Sequence, residues 1–156
     1  MNTTTTIYLS KQGIKDLRKK ISQLEHDQAK AIAELRELDK SDKREERMVL
    51  IEKLAVLESI ESDLQDKKQL LSEAKQLPRK RDAVKVALGS VVELIDQQGR
   101  ILRYTIVDSI EANPSDGRIS IMSPLGQSLI GKTAKETIEW TTKRLQTNKL
   151  ELVRIA

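Results

Sequence analysis

Asp39-Lys40-Ser41-Asp42-Lys43-Arg44-Glu45-Glu46-Arg47 is an unbroken polar run between two stretches whose apolar residues recur at helical spacing. Upstream, Ile14, Leu17, Ile21, Leu24, Gln28, Ala31, Leu35 and Leu38 advance in alternating steps of three and four, and only Gln28 interrupts the apolar seam. This is the heptad signature of a helix that packs along one stripe. Downstream, Met48, Leu50, Leu54, Leu57, Ile60 or Glu61, Leu64, Leu71 and Ala74 form a looser seam with polar residues near 67–68. Pairing Leu38 with Leu50, Leu35 with Leu54 and Ala31 with Leu57 keeps the sum of residue numbers near 88, which centres the turn near Arg44. Two matched helices around a polar break predict an antiparallel hairpin. At 1.5 Å per residue its arms reach roughly 45–50 Å. Ser10 is placed as the N-cap of the first helix, with Leu9 and Ile14 as a hydrophobic staple. The break sets acidic side chains at the tip. Hairpin tips are polar in any case and a D-x-x-E spacing recurs in charged helices, so spacing alone leaves chemistry and solvation both open.

The bulk composition fits this picture. Charged residues make up 33% of the 156 and aromatics 2%, too few large side chains for one broad core but enough for a narrow Leu/Ile seam. With no cysteine and a single histidine, His26, a disulfide framework and a zinc site are excluded as expectations. The opening Met1-Asn2-Thr3-Thr4-Thr5-Thr6 lacks the basic and apolar regions of a signal peptide. No apolar run approaches the roughly 20 residues that span a bilayer, so the expected location is cytoplasmic, without membrane contact. The net charge of +4 is uneven: Lys+Arg equals Asp+Glu at 15 each in residues 1–77, whereas 13 face 9 in 78–156. Arg79-Lys80-Arg81 supplies much of the excess, suiting contact with nucleic acid or an acidic surface as well as a solvated linker.

Leu77-Pro78 is expected to end the second helix, because proline cannot continue it. Beyond it the period falls to about two. Val91 to Asp96 reads as a strand, Gln97-Gln98-Gly99-Arg100 as a turn and Ile101 to Val107 as the returning strand. Asn113-Pro114-Ser115-Asp116-Gly117 is a second turn before a short strand, Arg118 to Met122. Gln127 to Ile130 reads as a helical turn ending at Gly131, with Thr137 to Thr141 and Leu150 to Ile155 as final strands. Tyr104 and Trp140 read as core residues. The expected class is α+β: a coiled-coil hairpin over 1–77, a basic linker over 78–85 and a β-rich domain over 86–156.

Several segments of this second half resemble the Gre family of bacterial transcript cleavage factors. Ser123-Pro124-Leu125-Gly126-Gln127-Ser128-Leu129-Ile130-Gly131-Lys132 follows that family's SPLGxALLGK segment. Val86 to Leu94 is similar to its first C-terminal strand. Tyr104 to Ala112 is similar to its YxIVGxxEA strand, with Ser109 near the usual glycine, and Asp116 to Ser120 to the segment after it. The resemblance covers essentially the whole chain. It implies an FKBP-like fold for the C-terminal domain, though with so few aromatics a prolyl-isomerase pocket is not expected. It also implies docking at the secondary channel of RNA polymerase, with Ser123, Pro124, Leu125, Gly126, Gly131 and Lys132 as the docking segment. The hairpin would enter the channel, help to hold a second Mg²⁺ jointly with the polymerase, and stimulate endonucleolytic cleavage at the nascent RNA 3′ end. The chain would not itself be an enzyme, and it would take no small-molecule substrate.

The family tip signature, Gly-Asp-Leu-x-Glu-Asn-Ala-Glu-Tyr, aligns best with Ser41-Asp42-Lys43-Arg44-Glu45-Glu46. That resemblance assigns the catalytic and metal-binding positions to Asp42 and Glu45, with Asp39 and Glu46 competing. The match is incomplete: Ser41 replaces glycine, Lys43 leucine and Glu46 asparagine, and Val49 stands where tyrosine would be. The alternative function is therefore a non-catalytic regulator or inhibitor occupying the same channel. Lys15, Arg18, Lys19 and Lys20 are candidates for contact with RNA phosphates, although a solvated helix face accounts for them as well.

Overall fold

The structure, a computed structural model, describes residues 6–38, 40, 44–78, 83–141 and 146–156. The chain divides into two compact units: Gln12–Ala74, and Lys75–Ala156 together with the segment ending at Lys11.

The first unit is built from α1 (Lys11–Leu38) and α2 (Arg44–Glu73). All eight expected seam positions of α1 turn inward: Leu17, Ile21 and Leu24 are buried, and Ile14, Gln28, Ala31, Leu35 and Leu38 are half-buried. In α2 the inward set is Glu46, Leu50, Lys53, Leu57, Ile60, Leu64, Lys67 and Leu71, in steps of four and three, with Leu70 also half-buried beside the last. This corrects part of the sequence reading, because Met48 and Leu54 remain 66% and 45% exposed. Residues 48–57 are apolar almost all round, so their hydrophobicity carries no phase and the contacts with α1 choose it. Lys53 takes a half-buried seam position, where its ammonium pairs with Glu34. Two more links cross the hairpin, Lys68 to Glu25 at 2.8 Å and Gln28 Nε2 to Glu61 at 3.2 Å. Residue numbers in these three pairs add to between 87 and 93, so the helices run antiparallel.

α2 stops at Glu73, short of Leu77-Pro78. The amide of Lys75 donates to Ile7 at 2.8 Å and that of Leu77 to Leu9 at 2.9 Å. These bonds make β2 (Lys75–Gln76) a parallel partner of β1 (Tyr8–Leu9), so strand pairing ends the helix before proline is reached.

The second unit also holds five further strands: β3 (Val91–Ile95), β4 (Ile101–Val107), β5 (Arg118–Ser120), β6 (Thr137–Thr141) and β7 (Thr147–Ile155). They form one sheet in the order β5-β4-β3-β7-β6, with only β4 and β5 parallel. Register sets Leu94 opposite both Leu102 and Leu152, and Ile138 opposite Leu150. One sheet face is therefore apolar, and α3 (Pro124–Leu129) packs on it through Leu129, which is fully buried. β5 is shorter, and α3 begins earlier, than the sequence suggested, because Ser123 caps the helix and pulls Ile121–Met122 into the turn. The class is α+β, as expected.

Candidate functional site

Three regions bear on function. At the hairpin tip, α1 ends at Leu38 and α2 begins at Arg44. Asp39, Ser41, Asp42 and Lys43 lie outside the described residues, so of the four tip carboxylates expected to compete only Glu45 and Glu46 can be placed. Both stand in the first turn of α2, where unpaired backbone N–H groups favour negative charge. Glu45 is exposed, whereas Glu46 sits at a half-buried seam position. Consecutive residues point about 100° apart on a helix, so the two do not share a face. Among the described residues no group of three or more metal-ligating side chains converges. The tip carboxylates that are described can thus contribute only part of the oxygen shell a hard divalent cation needs.

Further down the hairpin, Glu34 has its carboxyl held below the ordinary range, first by the hydrogen bond from Lys53 and then by that residue's charge. On α1, Lys15, Arg18, Lys19 and Lys20 are all exposed. Helical spacing sets Lys15 and Lys19 on the side opposite the seam, Arg18 on one flank of it and Lys20 on the other.

The segment Ser123 to Lys132 is chiefly an architectural device. Ser123 Oγ accepts from the Gly126 amide at 3.0 Å and donates to the Ser120 carbonyl at 2.7 Å. Pro124 occupies the first turn, where its missing N–H costs nothing. A Cβ at Gly126 would lie 2.1 Å from the Ser120 oxygen, so only glycine fits. Gly131 turns the chain at φ +79°, and its amide donates to Val86 at 2.8 Å. Of the residues expected to dock a partner, Pro124 and Gly131 are exposed, Ser123, Leu125 and Lys132 are half-buried, and Gly126 is buried. Met122 and Ile130, which the sequence reading passed over, add exposed apolar surface beside them.

Two further features were not singled out from sequence. Glu111 is buried, and its carboxylate accepts from both the amide (2.8 Å) and the hydroxyl (2.5 Å) of Ser10. No sequence signal relates residues a hundred apart. Tyr104 and Trp140 pack half-buried against the core, as expected, but with Leu102 and Leu125 they also border a cavity of about 320 Å³. Asp96 stands at its rim. Burial pushes this carboxyl up, but the Arg100 amide and guanidinium and the Gln98 amide outweigh it, so the net shift is downward. The basic triplet Arg79-Lys80-Arg81 lies outside the described residues.

A family model for the C-terminal part of the transcription elongation factors GreA and GreB matches residues 81–156. Beyond that region, the transcription elongation factor GreA of Chlorobium phaeobacteroides (strain DSM 266) is 31% identical over 137 residues, covering 85% of this chain and 86% of that protein. The chain belongs to the GreA/GreB family of transcription elongation factors. The GreA of a Nitratiruptor species is 33% identical to this Gre factor over 135 residues, covering 83% of it and 81% of the relative. Among solved structures, the GreA factor homolog 1 (Gfh1) protein of Thermus thermophilus aligns over 96% of the Gre chain and 98% of its own, at 26% identity and a TM-score of 0.46. No helix among the described residues of this Gre factor is long and apolar enough to cross a membrane.

Proposed function

We propose that this Gre factor binds RNA polymerase through its secondary channel and stimulates the polymerase's own endonucleolytic cleavage of backtracked nascent RNA. The observation that carries the reading is the hairpin: a 28-residue helix, about 42 Å long, packed against an antiparallel partner that begins with Glu45 exposed in its first turn. Such an arm carries carboxylates into a recess that a globular body cannot enter. Asp42 and Glu45 are proposed as the working pair, with Asp39 and Glu46 as alternatives, each adding oxygen ligands to a Mg²⁺ shared with the polymerase. A second metal there would stabilise the attacking or the leaving oxygen of phosphoryl transfer. Lys15 and Lys19 offer cations to RNA phosphates from the side opposite the seam, Arg18 from one flank and Lys20 from the other. Pro124 and Gly131 are the exposed residues of the docking segment, with Met122 and Ile130 adding apolar surface beside them. The factor acts in the cytoplasm and has no hydrolytic activity alone.

A second reading, a channel-binding regulator that does not promote cleavage, is favoured by the tip sequence. Lys43 and Glu46 add charge where the family signature has leucine and asparagine.

One assay separates the two. Backtracked elongation complexes are mixed with the factor and Mg²⁺, and RNA shortening is followed for wild type, Asp42→Ala and Glu45→Ala. Shortening by wild type that either substitution abolishes supports the first reading. Shortening that survives both removes these residues from the role. Binding without shortening by wild type selects the regulator.

A further inference from the structure

The seam of α2 is not its only apolar stripe. Met48, Ile51 and Leu54 are 66%, 62% and 45% exposed, and with Ala55 they lie on a face turned away from α1. Helical spacing extends this face in both directions in steps of three and four: Arg44, Arg47, Ile51, Leu54, Glu58. It is a second heptad stripe with an apolar centre, arginines toward the tip and a glutamate on the other side. Arg47 and Glu58 are both exposed, and neither has an ion-pair partner among the described residues.

The order of charges along the stripe decides what fits it. A parallel copy would set Arg47 against Arg47 and Glu58 against Glu58. An antiparallel copy in which residue numbers add to 105 sets Ile51 against Leu54, and Arg47 against Glu58, each twice by symmetry. The same register brings Met48 across from Ala55 within two residues, large against small. A surface complementary to its own two-fold image is what an isologous dimer requires. We propose that the distal part of α2 is a self-association surface, through which two copies of this chain pair antiparallel about an axis between Glu52 and Lys53.

The stripe is about four turns long, roughly 22 Å. Pairing it would bury on the order of 1,000 Å² over both copies, at the lower edge of specific interfaces. The dimer is accordingly reversible and concentration-dependent. It also covers the hairpin beside its tip. On the reading of the hairpin as a channel probe, and resting on that reading, pairing and channel entry exclude each other, so the dimer is a resting form.

The test uses the full chain without polymerase, so its outcome is independent of the cleavage assay. Sedimentation velocity from low micromolar to several hundred micromolar should show a monomer–dimer equilibrium. Ile51→Glu should leave monomer at every concentration while circular dichroism retains the helix content. Arg47→Glu and Glu58→Arg should each weaken the dimer about tenfold, and the double exchange should restore most of the loss, because the ion pair is rebuilt with its sense reversed. Since the chain has no cysteine, an equal mixture of Ile51→Cys and Leu54→Cys proteins should oxidise chiefly to the mixed disulfide dimer. Wild type that stays monomeric throughout overturns the proposal. So does a dimer indifferent to Ile51→Glu, a double exchange that restores nothing, or oxidation that joins two copies of the same variant in preference to one of each. A monomeric wild type whose polymerase affinity falls on Ile51→Glu would assign the stripe to the polymerase instead.

Discussion

The hairpin and the β-rich unit bury apolar surface with very different numbers of neighbours. In the β-rich unit Val92, Leu94, Ile106, Leu129, Ile138 and Leu152 are fully enclosed between a sheet and a helix. Among the described residues of the hairpin only Leu17, Ile21, Leu24 and Leu64 are buried, all in the half far from the tip, and the distal half relies on half-buried residues and on Lys53 with Glu34. A sheet face meets neighbours on several sides, whereas each helix of a pair has one. Local stability should therefore fall along the hairpin toward the tip, where low protection is compatible with working inside a partner.

The contrast can be broken or sharpened by substitution. The largest effect is expected for Leu129→Ala, about 2–5 kcal/mol, because the cavity lies inside a closed core. Trp140, the chain's single tryptophan, stands in the same unit, so its fluorescence in a denaturant series reads the loss. Gly126→Ala should cost about 3 kcal/mol by forcing a methyl group onto the Ser120 carbonyl. Within the hairpin, Leu64→Ala should cost about 2–3 kcal/mol and half-buried Leu57→Ala about 1 kcal/mol, followed by far-ultraviolet circular dichroism. Equal losses at the two sites would refute the gradient. Gln28→Leu, which fills the one polar gap in the α1 seam, should raise hairpin stability by about 0.5–1 kcal/mol.

The smallest effect is one of pH. Glu34 is held below the ordinary carboxylate range by Lys53, so its contribution is complete above that range and is lost as pH falls through the depressed folded value. The hairpin should lose helicity on acidification, and Glu34→Gln should flatten that dependence. The pair is partly exposed, so the change is slight and fades with added salt.

The two units also differ in how legible they were. The α1 seam is readable residue by residue, because Ile14 to Leu38 alternates clear apolar and charged faces. Met48 and Leu54 were misassigned in α2, since a stretch that is apolar all round offers no face from which to read a phase. The family's SPLG-to-GK segment is recognisable by its residues, yet much of it serves capping, close approach and a left-handed turn, needs that belong to the fold as much as to any partner. Asp42, the leading tip candidate, rests on sequence alone.

What the sequence by itself determined is what depends on neighbours along the chain: helix period, strand alternation, glycine and proline turns, and the polar break between two seams. Only the tertiary structure decided what depends on distant residues. The parallel pairing of Tyr8–Leu9 with Lys75–Gln76, the early end of α2, the burial of Glu111 against Ser10 and the phase of α2 all arise from contacts between segments far apart in sequence. Periodicity marks a surface as sticky, but the partner that covers it is chosen by geometry in three dimensions.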